Sequence, residues 1–293
     1  MQKFERADFE VQEYVESENY GKFVLSPLER GFGTTIGNAL RRVLLSSLPG
    51  AAVFSIKVDG VYHEFTSIPG VREDVSMIIL QLKQLVMKIE DDEVYTLQIS
   101  AKGPCTITAG DIICPAQVEV INKDLEIAHL EKDVTLEMEL KAKNGRGYIS
   151  ADLNKQLNQG SSQGIGTVFT DSIYTPVEKV AYNVEPTRVG EDVKYDAVTL
   201  EVWTDGSINP QKAIAMAAKI LMDHLDIVAG INDEVLQMDE VLKEGNTEQP
   251  SKGQQMMIED LDLSVRSYNC LKRAGIQTVD ELTQKTEDEM MRV

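Results

Sequence analysis

The residues best able to do chemistry in this chain sit in a few short motifs. Gly31 to Gly37, GFGTTIG, has the texture of a phosphate-cradling loop. A dinucleotide loop needs G-x-G-x-x-G between a strand and a helix, with an acid later in a βαβ unit. Here the spacing is G-x-G-x-x-x-G and no such unit follows, so the glycines are expected to serve a tight turn and close backbone packing. Gly160-Ser161-Ser162-Gln163-Gly164 fits G-x-S-x-G, which would make Ser162 a nucleophile. A nucleophile elbow requires a strand before the serine and a helix after it. LNKQLNQ precedes and the strand-like IGTVFT follows, and His224, the only later histidine, lies on a strongly patterned helix. His63, His129 and His224 have no metal-ligand spacing with each other or with Cys105, Cys114 and Cys270. Asp260-Leu261-Asp262 reads as a solvated helix cap. No catalytic constellation, cofactor site or metal site emerges, which leaves binding surfaces to carry the function.

The elements that would present such surfaces are α+β. VFSIKV, Asp59-Gly60 and VYHEFT read as a hairpin, because Asp-Gly tolerates the positive φ of a type I′ turn. Val134, Leu136, Met138 and Leu140 alternate with polar residues as in a half-buried strand, ended by a turn at Asn144-Gly145-Arg146-Gly147. Val198, Leu200 and Val202 alternate likewise, and Asp205-Gly206 closes the run. The first helix is expected to be capped by Thr34 or Thr35 and stopped by Pro49-Gly50, with Ile36, Leu40, Val43 and Leu44 on one face. A second helix has Glu73 and Asp74 in its first turn, Lys88 in its last, and an apolar stripe of Val75, Ile78, Ile79, Leu82 and Val86. A third opens with Asn209 as N-cap and Pro210 at N1. Its residues Ile214, Ala218, Leu221, Leu225 and Val228 step 4-3-4-3, as in a seam. That stripe serves either a core helix or a helix packed on a partner subunit.

The chain has 293 residues and a formal charge of −19, with 48 acids against 29 bases. A composition 42% hydrophobic and 26% charged is globular. The acidity argues against coating nucleic acid by bulk charge, although a local basic patch remains open. No apolar run approaches a membrane span, no signal-peptide h-region is visible, and the three cysteines form no disulfide or zinc framework. An intracellular protein with no membrane partner is expected. From Ile231 to Asp262 the texture is acidic and poor in apolar residues, the signature of a tether. Helical patterning resumes near Leu261.

Several segments in order resemble the bacterial RNA polymerase α-subunit family. They are PLERGFGTTIGNALRRVLLSSLPG (Pro27–Gly50), DGVYHEF (Asp59–Phe65), VREDVSMIILQLK (Val71–Lys83), GRGY (Gly145–Tyr148), YTPVEKVAYNVEPTRVG (Tyr174–Gly190) and SVRSYNCLKRAGI (Ser264–Ile276). The resemblance implies a dimerisation subdomain made of 1–50 plus 176–230, with a β-rich subdomain of 51–175 inserted. A flexible linker at 231–255 and a small all-α, helix-hairpin-helix-like module at 256–293 would follow. It further implies a non-catalytic subunit of DNA-directed RNA polymerase, a homodimer that nucleates assembly of the large β and β′ subunits. Phe32, Ile36, Leu40, Val43, Leu221, Leu225 and Val228 would form the dimer interface. Arg42 and Leu45 would touch β, and Lys83 would touch β′. The C-terminal module, through Arg266, Asn269, Cys270 and Lys272, would meet upstream promoter DNA, alongside contacts with activators and sigma factor. The family pattern continues past Val293 with a glycine- and lysine-rich hairpin and a last helix, so the module here is expected to be truncated and weak on DNA. Two other readings remain open on the residues alone: a stand-alone dimeric DNA-binding regulator, and a hydrolase using Ser162.

Overall fold

The computed structural model describes residues 6–158, 166–190 and 192–231. The protein divides into two units, Met1–Leu242 and Lys243–Val293, and every described residue belongs to the first. The tether, the C-terminal module and Ser162 lie outside the described residues.

In sequence order the elements begin with β1 (Asp8–Val15), β2 (Tyr20–Glu29), α1 (Phe32–Ser46) and β3 (Pro49–Val58). Next come α2 (Val75–Leu82), β4 (Met87–Ile89), β5 (Tyr95–Lys102), β6 (Cys105–Thr108), β7 (Val118–Val120), β8 (Glu126–Leu130) and β9 (Thr135–Arg146). After these follow β10 (Tyr148–Ile149), α3 (Ala151–Leu157), β11 (Thr167–Phe169) and β12 (Ser172–Ile173). The series closes with β13 (Val177–Val189), β14 (Asp192–Thr204) and α4 (Pro210–Ala229). One four-stranded antiparallel sheet, β1-β2-β14-β13, joins the two ends of this stretch. A second, β11-β3-β9-β5, is built from the middle.

Each sheet has its own core, because each has one apolar face to hide. Phe23, Val180, Leu200 and Val202 of the first sheet meet Leu40 and Leu44 of α1 and Ala213, Ile214 and Ala217 of α4. In the second, Ile56, Leu97, Ile99, Met138, Leu140 and Ala142 pack with Val75, Ile78, Ile79 and Leu82 of α2. At Gly50 and Gly145, paired across β3 and β9, the buried Tyr174 comes so close that a Cβ on Gly50 would lie 1.9 Å from its carbonyl oxygen. A Cβ on Gly145 would lie 2.8 Å from its ring. These two glycines clear a slot that no other residue leaves open.

Several local expectations need correction. Asp59-Gly60 does turn, with Gly60 at φ +78°, but VYHEFT forms no strand. Both edges of β3 are taken, by β9 and β11, so nothing is left for it to pair with. His63 consequently sits in a local turn with Thr66, not on a strand. Beyond Lys141, β9 runs on through Asn144 to Arg146, and the turn falls at Gly147 (φ +64°). The first helix starts at Phe32 with Gly31 as N-cap at φ +94° and no threonine cap. Its Gly31 amide instead donates to Asp196 Oδ2 at 2.8 Å. In α2 the cap is Asp74, which accepts from the Met77 amide. Glu73 precedes the helix, and Lys88 and Val86 lie beyond its end, Lys88 in β4. By contrast, Asn209 and Pro210 start α4 as their types require: the Asn209 side chain accepts from Gln211 N at 2.8 Å.

Candidate subunit interface

The GFGTTIG run acts by being small. Gly33 and Gly37, one helical turn apart, face β13 and β14. A Cβ at Gly33 would meet Val184 at 2.8 Å, and one at Gly37 would meet the Tyr182 ring at 2.7 Å. The helix therefore sits low on the sheet, and three contacts fix its rotation: Gly31 on Asp196, the glycine face on β13, and Arg41, whose Nε donates to Val180 O at 3.2 Å. Arg41 thus closes part of the free edge of β13. Arg42, about 100° further round, is exposed, and its guanidinium has no ion pair or hydrogen bond among the described residues. Leu45, one turn from Arg41, is half-buried.

Of the residues expected at a dimer interface, Leu40 is already buried in the protomer's own core, and Ile36, Val43 and Leu221 are partly buried against it. Phe32 stays 48% exposed. On α4 the seam changes character along its length. Ile214 is buried, whereas Leu225 and Val228 are 63% and 66% exposed, with Met222, Ile227 and Ile231 exposed beside them. Exposed apolar residues concentrated at one helix end make a surface of the kind that a partner can cover.

A second feature lies at the end of α2. Lys83, its C-cap, reaches Asp171 at 2.6 Å, both side chains about a quarter exposed. A groove of about 420 Å³ beside it is lined by Lys83, Gln84, Ile173, Tyr174, Glu178 and Asp205. Burial pushes the Asp205 carboxyl up; two hydrogen bonds from Ser207 act against this, and the nearby Glu178 charge adds to it. Sequence reasoning missed Asp171, Asp196 and the role of Arg41. No local pattern points to any of them, since each acts on a residue far along the sequence.

Elsewhere, Ser162 is outside the described residues, but its flanks are helix α3 before and strand β11 after, the reverse of a nucleophile elbow. No described group of three or more His, Cys, Asp or Glu could hold a metal ion. Among the described residues no helix is long and apolar enough to cross a membrane. His129 is tied to Glu73 and His224 to the Ile220 carbonyl. Arg266, Asn269, Cys270 and Lys272 lie outside the described residues.

Residues 56–175 match the family model of the RNA polymerase Rpb3/RpoA insert domain, which takes in β9, α2 and the Lys83–Asp171 pair. Residues 244–293 match the family model of the C-terminal domain of the bacterial RNA polymerase alpha subunit. The protein belongs to the bacterial RNA polymerase α-subunit family. Its role is that of an α subunit of DNA-directed RNA polymerase, a part of a nucleotidyltransferase complex that works in transcription. For an α subunit, the exposed apolar end of α4 and an arginine without a side-chain partner among the described residues are features that subunit assembly can use.

Proposed function

We propose that this protein is a homodimeric, non-catalytic α subunit that scaffolds assembly of β and β′. Its C-terminal module carries contacts to upstream promoter DNA and to activators and sigma factor. The observation that carries the scaffold reading is the uncovered apolar end of α4, where Leu225, Ile227 and Val228 are all exposed. A second copy can cover this end, and a C2 pairing would present every other surface twice. Arg42 and Leu45 then serve as the β contact. Arginine suits that task because its planar, weakly hydrated fork keeps its hydrogen bonds through partial desolvation. Lys83 serves β′. The module's DNA contacts rest on the family match at 244–293 and on Arg266, Asn269, Cys270 and Lys272; an arginine reads the negative potential of a narrow A-tract groove. The α subunit itself supplies no catalytic residue and requires no cofactor, and its place of work is the cytoplasm at the nucleoid.

The test is affinity purification of the tagged full-length protein from its own cells, beside the Arg42→Ala variant. Two very large subunits with two copies of α are expected for the wild type. The variant should remain dimeric and lose β. Recovery of the wild-type protein alone would remove the scaffold role, and normal assembly by the variant would remove Arg42 from the β contact.

A further inference from the structure

The Lys83 ammonium is not left to search. It stands at the C-terminus of α2, where helix carbonyls favour a cation, and its Nζ is 2.6 Å from Asp171 Oδ1. Asp171 in turn is held by its neighbours. Thr170 and Ser172 are both buried. The Thr170 amide donates to Phe54 O at 2.9 Å, its hydroxyl to Val53 O at 3.3 Å, and the Ser172 hydroxyl to Val53 O at 2.9 Å. From the other side the buried Asn154 amide donates to Thr170 O and to Ser172 Oγ, at 2.8 and 3.1 Å. Two buried residues thus clamp the backbone on each side of Asp171 to the interior of β3.

We infer that Asp171 is the positioning residue of Lys83: it holds the ammonium in the geometry in which a large subunit docks. The inference rests on the reading of Lys83 as the β′ contact. A lysine side chain on four rotatable carbons loses considerable rotamer freedom when a partner fixes it. An anchored carboxylate removes that freedom before binding, so less is lost at the encounter. An ammonium has three donors. One goes to Asp171, and two remain for carbonyl or carboxylate oxygens of the partner. Partial burial of both side chains shields the pair from the screening that empties exposed surface pairs of effect.

The test is reconstitution of the full-length protein with β and β′, reading β′ retention beside dimerisation and β binding. Asp171→Asn should lower β′ affinity about 5- to 10-fold while dimer and β binding stay unchanged, a loss in the range of preorganisation effects. Asp171→Glu should restore affinity to within about 2-fold, since it returns the charge. Lys83→Ala should lose at least as much as Asp171→Asn, and the double variant should be no worse than Lys83→Ala alone, as for two residues acting as one unit. Wild-type β′ retention by Asp171→Asn, with Lys83→Ala defective, would overturn the positioning role and leave the Lys83 reading intact. Additive losses in the double variant would overturn it too, because Asp171 would then act on its own account. A normal Lys83→Ala would sink the reading of Lys83 beneath it.

Discussion

At the scale of single residues, one carboxylate ties two elements of the second core together. Glu73, just ahead of α2, accepts from the His129 backbone amide at 2.7 Å through Oε2, and its Oε1 is 2.7 Å from His129 Nδ1. His129 belongs to β8, and its Nε2 also has Glu126 3.7 Å away. Burial by itself pushes the Glu73 carboxyl up, but the hydrogen bonds and charge of His129 outweigh it and hold the group below the ordinary glutamate value. The sign follows from linkage. A carboxyl lowered in the folded state contributes stability above its unfolded pKa, and that contribution disappears as pH falls through the folded value. Glu73→Gln, which cannot ionise, should therefore lie below wild type in urea midpoint at pH 6–7. The gap should close below about pH 4, in the range where carboxyls rather than imidazoles titrate. A gap constant from pH 7 to pH 3 would mean that packing, not charge, makes the contact.

At the scale of elements, what the sequence made legible was what neighbours within a few residues decide. The start of α4 was readable because Asn209 and Pro210 act on amides in the next turn. The buried faces of β14 and β9 were readable because alternation is local: Val198, Leu200 and Val202 are all buried, as are Leu136, Met138 and Leu140. Non-local competition was not readable. VYHEFT has good strand residues, yet β9 and β11 occupy both edges of β3. The cap of α1 depends on Asp196, 165 residues away from Gly31. The candidate site divides in the same way. Arg42 and Lys83 are reached only through the family motifs, and no local pattern gives Arg41's bond to Val180 or the hold of Asp171 on Lys83. The exposed end of α4 offers the sharpest element-scale prediction. Leu225 and Val228 bury little within the protomer, so replacing both with glutamate should change its stability by no more than about 0.5 kcal/mol per site. Across a dimer seam each would remove roughly 1.5–3 kcal/mol of apolar burial and add a charge to be desolvated. Leu225→Glu/Val228→Glu should therefore sediment as a folded monomer with an unchanged circular dichroism spectrum. A stable dimer would move the interface elsewhere.

At the scale of the whole molecule, the two sheets with separate cores let one polypeptide present two kinds of surface. The first sheet, with α1 and α4, holds the exposed helix ends and Arg42. The second, with α2, presents Lys83 and Asp171. In the proposed homodimer a two-fold axis doubles each surface, although β and β′ would each be needed once. Half of the copies of each surface would then stand idle in a finished complex, and one intact Arg42 per dimer would be enough. This gives a prediction about assemblies rather than variants. Dimers formed from one tagged wild-type protomer and one Arg42→Ala protomer should recruit β with full occupancy, at about half the encounter rate because one of two equivalent sites is gone. Dimers with Arg42→Ala in both protomers should recruit none. Purification through two different tags, followed by mass analysis of the bound β, separates the cases. If mixed dimers hold no β, both arginines are engaged at once, and the assignment of one protomer to each large subunit fails.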